Sequence, residues 1–153
     1  MKKKAQKRTQ REVVEALSVL LASSYTLYLK TQNYHWNVRG PMFTTLHTLF
    51  EMQYTELAAA VDEIAERIRA LEAYAPGSLA EFSDLSVVKE AKGHPAAKDM
   101  LRQLAQDQHS VTTVAGQVVE AANAIGDNGT ADLGTRRQQV HQKNAWMLES
   151  HLK

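Results

Sequence analysis

The chain has 153 residues, of which 44% are hydrophobic, and a formal net charge of +1. This length suits one domain with its own core, and the absence of cysteine excludes disulfides, thiolate nucleophiles and thiolate metal sites. No apolar run predicts a membrane span or a signal segment, so the sequence predicts a cytoplasmic protein.

Positive charge is concentrated at the start of the chain. Six Lys and Arg residues precede the first acid, Glu12, which leaves twelve basic residues against 17 acids in the rest. A positive arm therefore precedes a negative body. Thr9 and Glu12 have the spacing of a capping box, which predicts that the first helix begins at Thr9 and that residues 1–8 form a flexible arm.

Apolar residues at intervals of three and four predict four long helices. Their predicted starts are Thr9, Met42, Pro95 and, as an N-cap, Thr130. A long connection, residues 78–94, separates the second helix from the third, and Leu79 to Leu85 within it is predicted to form a short helix. Four helices with one long crossover make an all-α four-helix bundle of ferritin-like connectivity, expected over residues 9–153.

The second predicted helix has two separate faces. One is an apolar stripe of Met42, Leu46, Phe50, Leu57, Val61, Ile64, Ile68 and Leu71. At roughly 100° per residue, His47, Glu51, Asp62 and Glu66 share a second face about 130° from the first. The rest of that face is small, which permits another backbone to approach closely. The pattern predicts an interface that binds metal.

One distance excludes a metal site within a single chain. His47 and Asp62 would be about 22 Å apart along a continuous helix, whereas metal–ligand bonds measure about 2–2.5 Å. An antiparallel copy, related by a two-fold axis near Tyr54–Thr55, would bring His47 of one subunit level with Asp62 of the other. The turn at Arg39–Pro41 would bring His35 to the same level. The sequence therefore predicts two equivalent sites per dimer, each built from both chains.

Several segments carry a family resemblance. They are Asn33–Val38, Gly40, Phe43, Leu46-His47, Asp62–Arg67 and Ala145–Leu148. Together they resemble the Dps family of mini-ferritins. The resemblance implies a ferroxidase centre formed by His35 and His47 of one subunit with Asp62 and Glu66 of its partner. Many members have an aspartate where this chain has Glu51, which we predict to be a ligand of the second iron.

The resemblance also implies an activity and an assembly. The expected protein is a ferroxidase that oxidises Fe(II), with hydrogen peroxide as the expected oxidant, and stores Fe(III) in a shell of twelve subunits that protects DNA from oxidative damage. Imidazoles with carboxylates suit ferrous iron, but equally zinc or manganese. The alternative is therefore a nucleoid-packing, DNA-binding protein whose metal site is structural or occupied by zinc.

Two further features have more than one interpretation. Trp36, beside His35, either quenches oxidants formed at the iron or is a core aromatic, whereas Trp146 is expected to pack. By the resemblance, Asp127 and Asp132 line an acidic three-fold pore that attracts cations. They could equally belong to a helix N-terminus, with Asp132 compensating the helix dipole.

The basic arm likewise has two interpretations. Its charges could neutralise DNA phosphates, and twelve copies on one shell would act multivalently. The alternative is a solvated tail. The resemblance favours non-specific DNA binding and association with the nucleoid. The residues concerned are Lys2, Lys3, Lys4, Lys7 and Arg8.

Overall fold

The computed structural model describes the backbone of residues 2–153 and the side chains of residues 10–153. This part of the chain forms five helices and no strand, so the predicted all-α class is confirmed. The short helix in the long connection and the break between the last two helices are also confirmed. The helices are α1 Lys2–Asn37, α2 Phe43–Ala70, α3 Leu79–Leu85, α4 Ala97–Ile125 and α5 Asn128–Ser150.

Two helical hairpins make the four-helix bundle. α1 packs along α2 and α4 along α5, while α1 also contacts α4 and carries α3 on its outer side. The predicted apolar stripe of α2 faces this core, and Leu46, Phe50 and Ile64 are fully buried there. The long connection between α2 and α4 takes the chain from one hairpin to the other, as predicted.

The first helix begins at Lys2 rather than at Thr9, so the predicted helix start is wrong. The residues ahead of Thr9 are mostly Lys, Ala, Gln and Arg, which are strong helix formers and favour continuation of the helix. The side chains of residues 1–9 lie outside the described residues, and the five basic residues of the arm lie among them. Their DNA-binding role stays a prediction.

α5 is capped by Asp127 and not, as predicted, by Thr130. α4 ends at Ile125, and Gly126 then adopts a left-handed conformation with φ +73°, which glycine tolerates without steric cost. Asp127 accepts a hydrogen bond from the Thr130 N–H at 3.0 Å and pairs with Arg67 at 2.7 Å. The carboxylate caps the helix better because its negative charge also compensates the helix dipole.

One stretch of α1 differs from the expectation about membrane spans. By length and composition alone, Gln10–Asn37 is apolar enough to cross a membrane. In the fold, however, Leu17, Leu20 and Leu27 of this stretch are fully buried. Its apolar character is accounted for by its position as a core helix of the bundle, packed against three other helices.

A buried polar network joins α2, α4 and α5. His141 is fully buried, its Nδ1–H donates to Gln108 Oε1 at 2.6 Å, and its Nε2 accepts from Arg137 at 3.1 Å. Arg137 also holds Glu56 through bonds of 2.6 and 2.9 Å. Burial, together with the charge of Arg137, lowers the pKa of His141 from 6.5 to about 3. The ring is therefore neutral in the folded protein.

His141 should make the protein less stable in acid. Between pH 6.5 and about 3 the unfolded chain binds a proton that the folded ring does not. The free energy of unfolding should therefore fall with decreasing pH, by up to about 1.4 kcal/mol per pH unit from this group. Urea unfolding at fixed protein concentration, from about pH 6.5 to about pH 4.5, measures the slope of the unfolding free energy against pH. His141→Gln should lose most of the part of this slope that His141 contributes. His151→Gln is the control, and equal slopes in the two variants would contradict the prediction.

Candidate metal centre

The end of α1 and the first turns of α2 bring two histidines into contact. The ring centroids of His35 and His47 lie 3.8 Å apart, with the ring planes 13° from parallel. The reversal between the helices passes through Gly40 at φ +110°, a conformation that side chains rarely adopt. Phe43 stacks on His47 at 4.9 Å. The sequence predicted that this turn would bring the two histidines to the same level, and it does.

Reciprocal hydrogen bonds fix both rings of this histidine pair. Nδ1 of His35 lies 2.7 Å from the carbonyl oxygen of His47, and Nδ1 of His47 lies 2.8 Å from the carbonyl oxygen of His35. Because a carbonyl oxygen only accepts, each Nδ1 carries a proton, and the nitrogen of the neutral ring that has a lone pair for a metal is Nε2. Metal-ligating imidazoles are commonly oriented in this way by a backbone carbonyl.

The stacking also indicates how many ions the pair can bind. The lone pair of an imidazole nitrogen lies in the plane of its ring, so two nearly parallel rings 3.8 Å apart cannot direct both lone pairs at one ion. They can bind two ions side by side. The separation matches the distance of about 3.5–4 Å between ions in two-metal sites.

The acids of α2 face in two directions. Glu56 and Glu63 point towards α5, where arginines bind each of them at 2.6 Å. Glu51, Asp62 and Glu66 are exposed, and none of the described side chains forms an ion pair or a hydrogen bond with them. Their carboxylates are therefore available as ligands. Asp62 and Glu66 are one helical turn apart and form an acid pair on one face.

The predicted metal ligands do not come together within one chain. α2 is unbroken from Phe43 to Ala70, so His47 and Asp62 are about 22 Å apart along its axis. Among residues 10–153, no three His, Asp or Glu side chains are placed to hold one ion. The histidine pair with Glu51 thus lies at one level of α2, and the acid pair of Asp62 and Glu66 at another. Their combination across a dimer stays a prediction.

The face of α2 between these two levels has the character of a contact surface. Thr48, Thr55 and Ala58 are exposed and small, so another backbone could approach closely. Met52 on the same helix is 54% exposed. Methionine is enriched at protein–protein interfaces, and small neighbours permit close approach. This composition supports the predicted interface.

The two tryptophans are exposed. Trp36 is 61% exposed and Trp146 is 62% exposed. Within one chain, Trp36 is therefore not a core aromatic, and that interpretation is wrong. The prediction that Trp146 packs is also wrong within one chain. Both lie on the outside of the bundle because neither position belongs to the apolar stripe of its helix. The role of Trp36 as a quencher of oxidants stays a prediction.

Of the two predicted pore residues, Asp127 has a structural role of its own. Burial alone would raise the pKa of Asp127, but hydrogen bonds from Thr130 and the charge of Arg67 together hold it below its ordinary value. Asp132 lies beyond the first turn of α5 and accepts a bond from Arg136 at 3.0 Å, so it is not the residue that compensates the helix dipole. Whether either carboxylate lines a pore stays a prediction.

Comparison with known proteins agrees with the fold. The family model described as ferritin-like domain matches residues 14–153. DNA protection during starvation protein 2 of Bacillus anthracis is 34% identical over 142 residues, which are 93% of this chain and 97% of that protein. The structure of Dps from Thermosynechococcus elongatus superposes with a TM-score of 0.94 at 34% identity, covering 97% of this chain and 95% of that one.

A further solved structure bears on the metal. The DPS protein of Vibrio cholerae, described as a member of a broad superfamily of ferritin-like diiron-carboxylate proteins, superposes with a TM-score of 0.91. It is 31% identical and covers 95% of this chain and 92% of its own. The four-helix fold, the long crossover between α2 and α4 and the matched family model together define a ferritin-like protein. The chain belongs to the Dps family of mini-ferritins. Membership supports, in general terms, iron storage, DNA protection and assembly into homo-oligomers.

Proposed function

We propose that this protein is a ferroxidase and iron-storage mini-ferritin whose iron sites are shared between two subunits. The observation that supports this most is the histidine pair, His35 and His47, with both Nδ1 atoms bonded to carbonyl oxygens and both Nε2 lone pairs available. The carboxylates of α2 that bind no other described side chain, Glu51, Asp62 and Glu66, complete the donor set. A two-fold dimer places the partner subunit's acid pair opposite this histidine pair.

Each ring of the pair has its own ion in this proposal. His35 binds the first ferrous ion together with Asp62 and Glu66 of the partner subunit. His47 binds the second with Glu51, which lies one turn further along the same helix. Mixed nitrogen and oxygen ligands suit ferrous iron, and the carboxylates favour the more highly charged ferric product through electrostatic attraction.

Two neighbouring ferrous ions supply the two electrons that one molecule of hydrogen peroxide takes up. Each ferrous ion gives one electron, and hydrogen peroxide takes up two electrons and two protons as its O–O bond breaks, forming two waters. Because both electrons arrive together, no hydroxyl radical is released. The ferric product then passes into the cavity of a closed, twelve-subunit shell for storage. DNA is thereby protected from the products of ferrous iron and peroxide.

Ferrous titration tests this function directly. Anaerobic titration of the assembled protein should show two ferrous ions bound per subunit, and peroxide should then oxidise two ions per molecule consumed. Zinc should compete for the same positions, since affinity alone does not select the metal. Stoichiometric zinc binding with no acceleration of iron oxidation would instead favour the alternative, a nucleoid-packing protein with a structural metal.

Glu51 should affect the second ferrous ion more than the first. In Glu51→Ala, His35 and the partner's acid pair would still hold one ion, so the first binding step should change little. The second should weaken by about tenfold or more, as expected for loss of a direct ligand. Isothermal titration with ferrous iron under anaerobic conditions measures both steps. Glu120→Ala removes an exposed acid from α4 as a control. Equal loss of both steps, or no loss, would exclude Glu51 as a ligand.

A further inference from the structure

A file of aromatic rings leads away from the histidine pair. The ring of Tyr54 meets His35 at 5.2 Å between centroids, edge to face. Tyr54 in turn meets Tyr28 at 5.9 Å, and Tyr28 meets Tyr25 at 5.9 Å, both again edge to face. Each ring therefore contacts the next, and the file connects the buried side of His35 with the region of α3.

The helical spacing produces this file. Tyr25 and Tyr28 are one turn apart on α1, and His35 lies two turns beyond Tyr28 on the same face. Tyr54 lies on α2 and bridges between Tyr28 and His35. At the far end, Tyr25 packs on Phe82 of α3 at 4.7 Å and lines a cavity of about 560 Å³ that is open to solvent. The file thus has one end at the metal centre and the other at the surface.

Packing alone does not account for tyrosine at all three positions. Phenylalanine would supply the same rings, and none of the described residues hydrogen-bonds the hydroxyl groups of Tyr25, Tyr28 or Tyr54. Tyr34 shows the contrast, because it is fully buried and its hydroxyl donates to Gln103. All three side chains are half-buried, so their hydroxyl groups can bond to water, and a phenol, unlike a benzyl side chain, can also give up one electron together with its proton.

We propose that Tyr54, Tyr28 and Tyr25 form a relay that carries an oxidising equivalent from the metal centre to the surface. The proposal rests on the ferroxidase function. It concerns a centre that holds one ferrous ion instead of two, which gives peroxide only one electron. The O–O bond then breaks into hydroxide and a hydroxyl radical, the species that damages DNA and protein.

In this relay, tyrosine supplies the electron that reduces the hydroxyl radical. The phenol of Tyr54 gives an electron and its proton to the hydroxyl radical, which becomes water, and a neutral tyrosyl radical remains. Tyr28 then gives an electron to the Tyr54 radical, and Tyr25 gives one to Tyr28. At each step the donor loses its phenol proton to water and the acceptor regains one from water, because all three side chains are half-buried. At the cavity, a soluble thiol can return a hydrogen atom to Tyr25 and leave as a thiyl radical. Contact between successive rings makes these transfers fast, because electronic coupling decreases exponentially with distance.

Radical detection separates this relay from simple packing. The assembled protein is mixed with half of the ferrous iron needed to fill its sites and then with peroxide, and frozen within milliseconds. Electron paramagnetic resonance should show a tyrosyl signal that changes shape when the tyrosines carry deuterium. In Tyr54→Phe this signal should fall at least several-fold. Tyr74→Phe, at a side chain that is 89% exposed and outside the file, should behave as the parent.

Peptide mapping then tests the order of the file. In the parent, oxidised products should accumulate at Tyr25. In Tyr28→Phe the radical should still form at Tyr54, but modification of Tyr25 should disappear. A signal that depends on Trp36 and persists in Tyr54→Phe would overturn the proposal. So would modification of Tyr25 that survives both substitutions. If the parent fails to oxidise iron even at full loading, the ferroxidase function itself is wrong. If it oxidises iron and forms no tyrosyl radical, only the relay is wrong.

Discussion

Two inactive variants should regain activity when their subunits are mixed. His35→Ala and Asp62→Ala should each abolish fast ferrous oxidation, because each removes a ligand from every site. Asp62 is exposed, and His35, although buried, is not part of the hydrophobic core, so the bundle should remain folded. After subunit exchange, random pairing should restore about a quarter of the wild-type sites, since only one site in each mixed dimer receives both native residues. Stopped-flow oxidation with peroxide, normalised to protein, measures the recovery.

A matched pair of variants controls for non-specific recovery. Asp62→Ala mixed with Glu66→Ala should stay inactive, because the partner subunit contributes both acids to the same site. His35→Ala mixed with Glu66→Ala should recover like the first pair. Subunit exchange is verified by native mass spectrometry of differently tagged chains. Proven exchange without recovery in the first mixture would contradict a site built from two chains.

Removal of residues 1–8 should greatly weaken DNA binding. The deletion leaves thirteen basic residues against 17 acids, so the remaining chain is net negative and repels phosphate. Affinity of the intact shell should fall about a thousandfold or more between roughly 50 and 200 mM salt, as counterion release requires. Little sequence preference is expected, because contacts to phosphates carry no sequence information. Gel-shift titrations at several salt concentrations measure both properties.

A length-matched variant separates charge from chain length. In it, Lys2, Lys3, Lys4, Lys7 and Arg8 are all replaced by Gln, which keeps the helix propensity of the segment. This variant should bind DNA as weakly as the deletion, while its ferrous oxidation and assembly stay unchanged. Retention of DNA by either variant would place the binding surface elsewhere. No binding by the intact protein would favour the solvated tail.

The sequence predicted the bundle because helical periodicity is a local signal. The apolar stripe of α2, the glycine turn at Gly40 and the short α3 all follow from residues close together in the chain. Helix ends were less predictable, because several caps compete over a few residues. α5 is capped by Asp127 instead of Thr130 because the carboxylate also pairs with Arg67, which is distant in sequence.

Parts of the candidate site could be predicted and parts could not. The shared level of His35 and His47 followed from the turn between their helices, and the impossibility of a one-chain site followed from the length of α2. The hydrogen bonds between each imidazole and the other histidine's carbonyl depend on how α1 and α2 pack. Helical periodicity in the sequence does not predict how two helices pack, so it does not predict these hydrogen bonds. The same holds for the buried His141 and for the contact of Tyr54 with His35, which join residues on different helices.

Crystals soaked with ferrous iron under anaerobic conditions test the shared site most directly. Anomalous difference maps, calculated from data on either side of the iron absorption edge, locate the bound ions. Two peaks should lie between the His35 and His47 rings of one subunit and the acid pair, Asp62 and Glu66, of its partner, with Glu51 beside the peak nearer His47. Iron bound inside the four-helix bundle of a single chain, or no iron at the histidine pair, would contradict the intersubunit site.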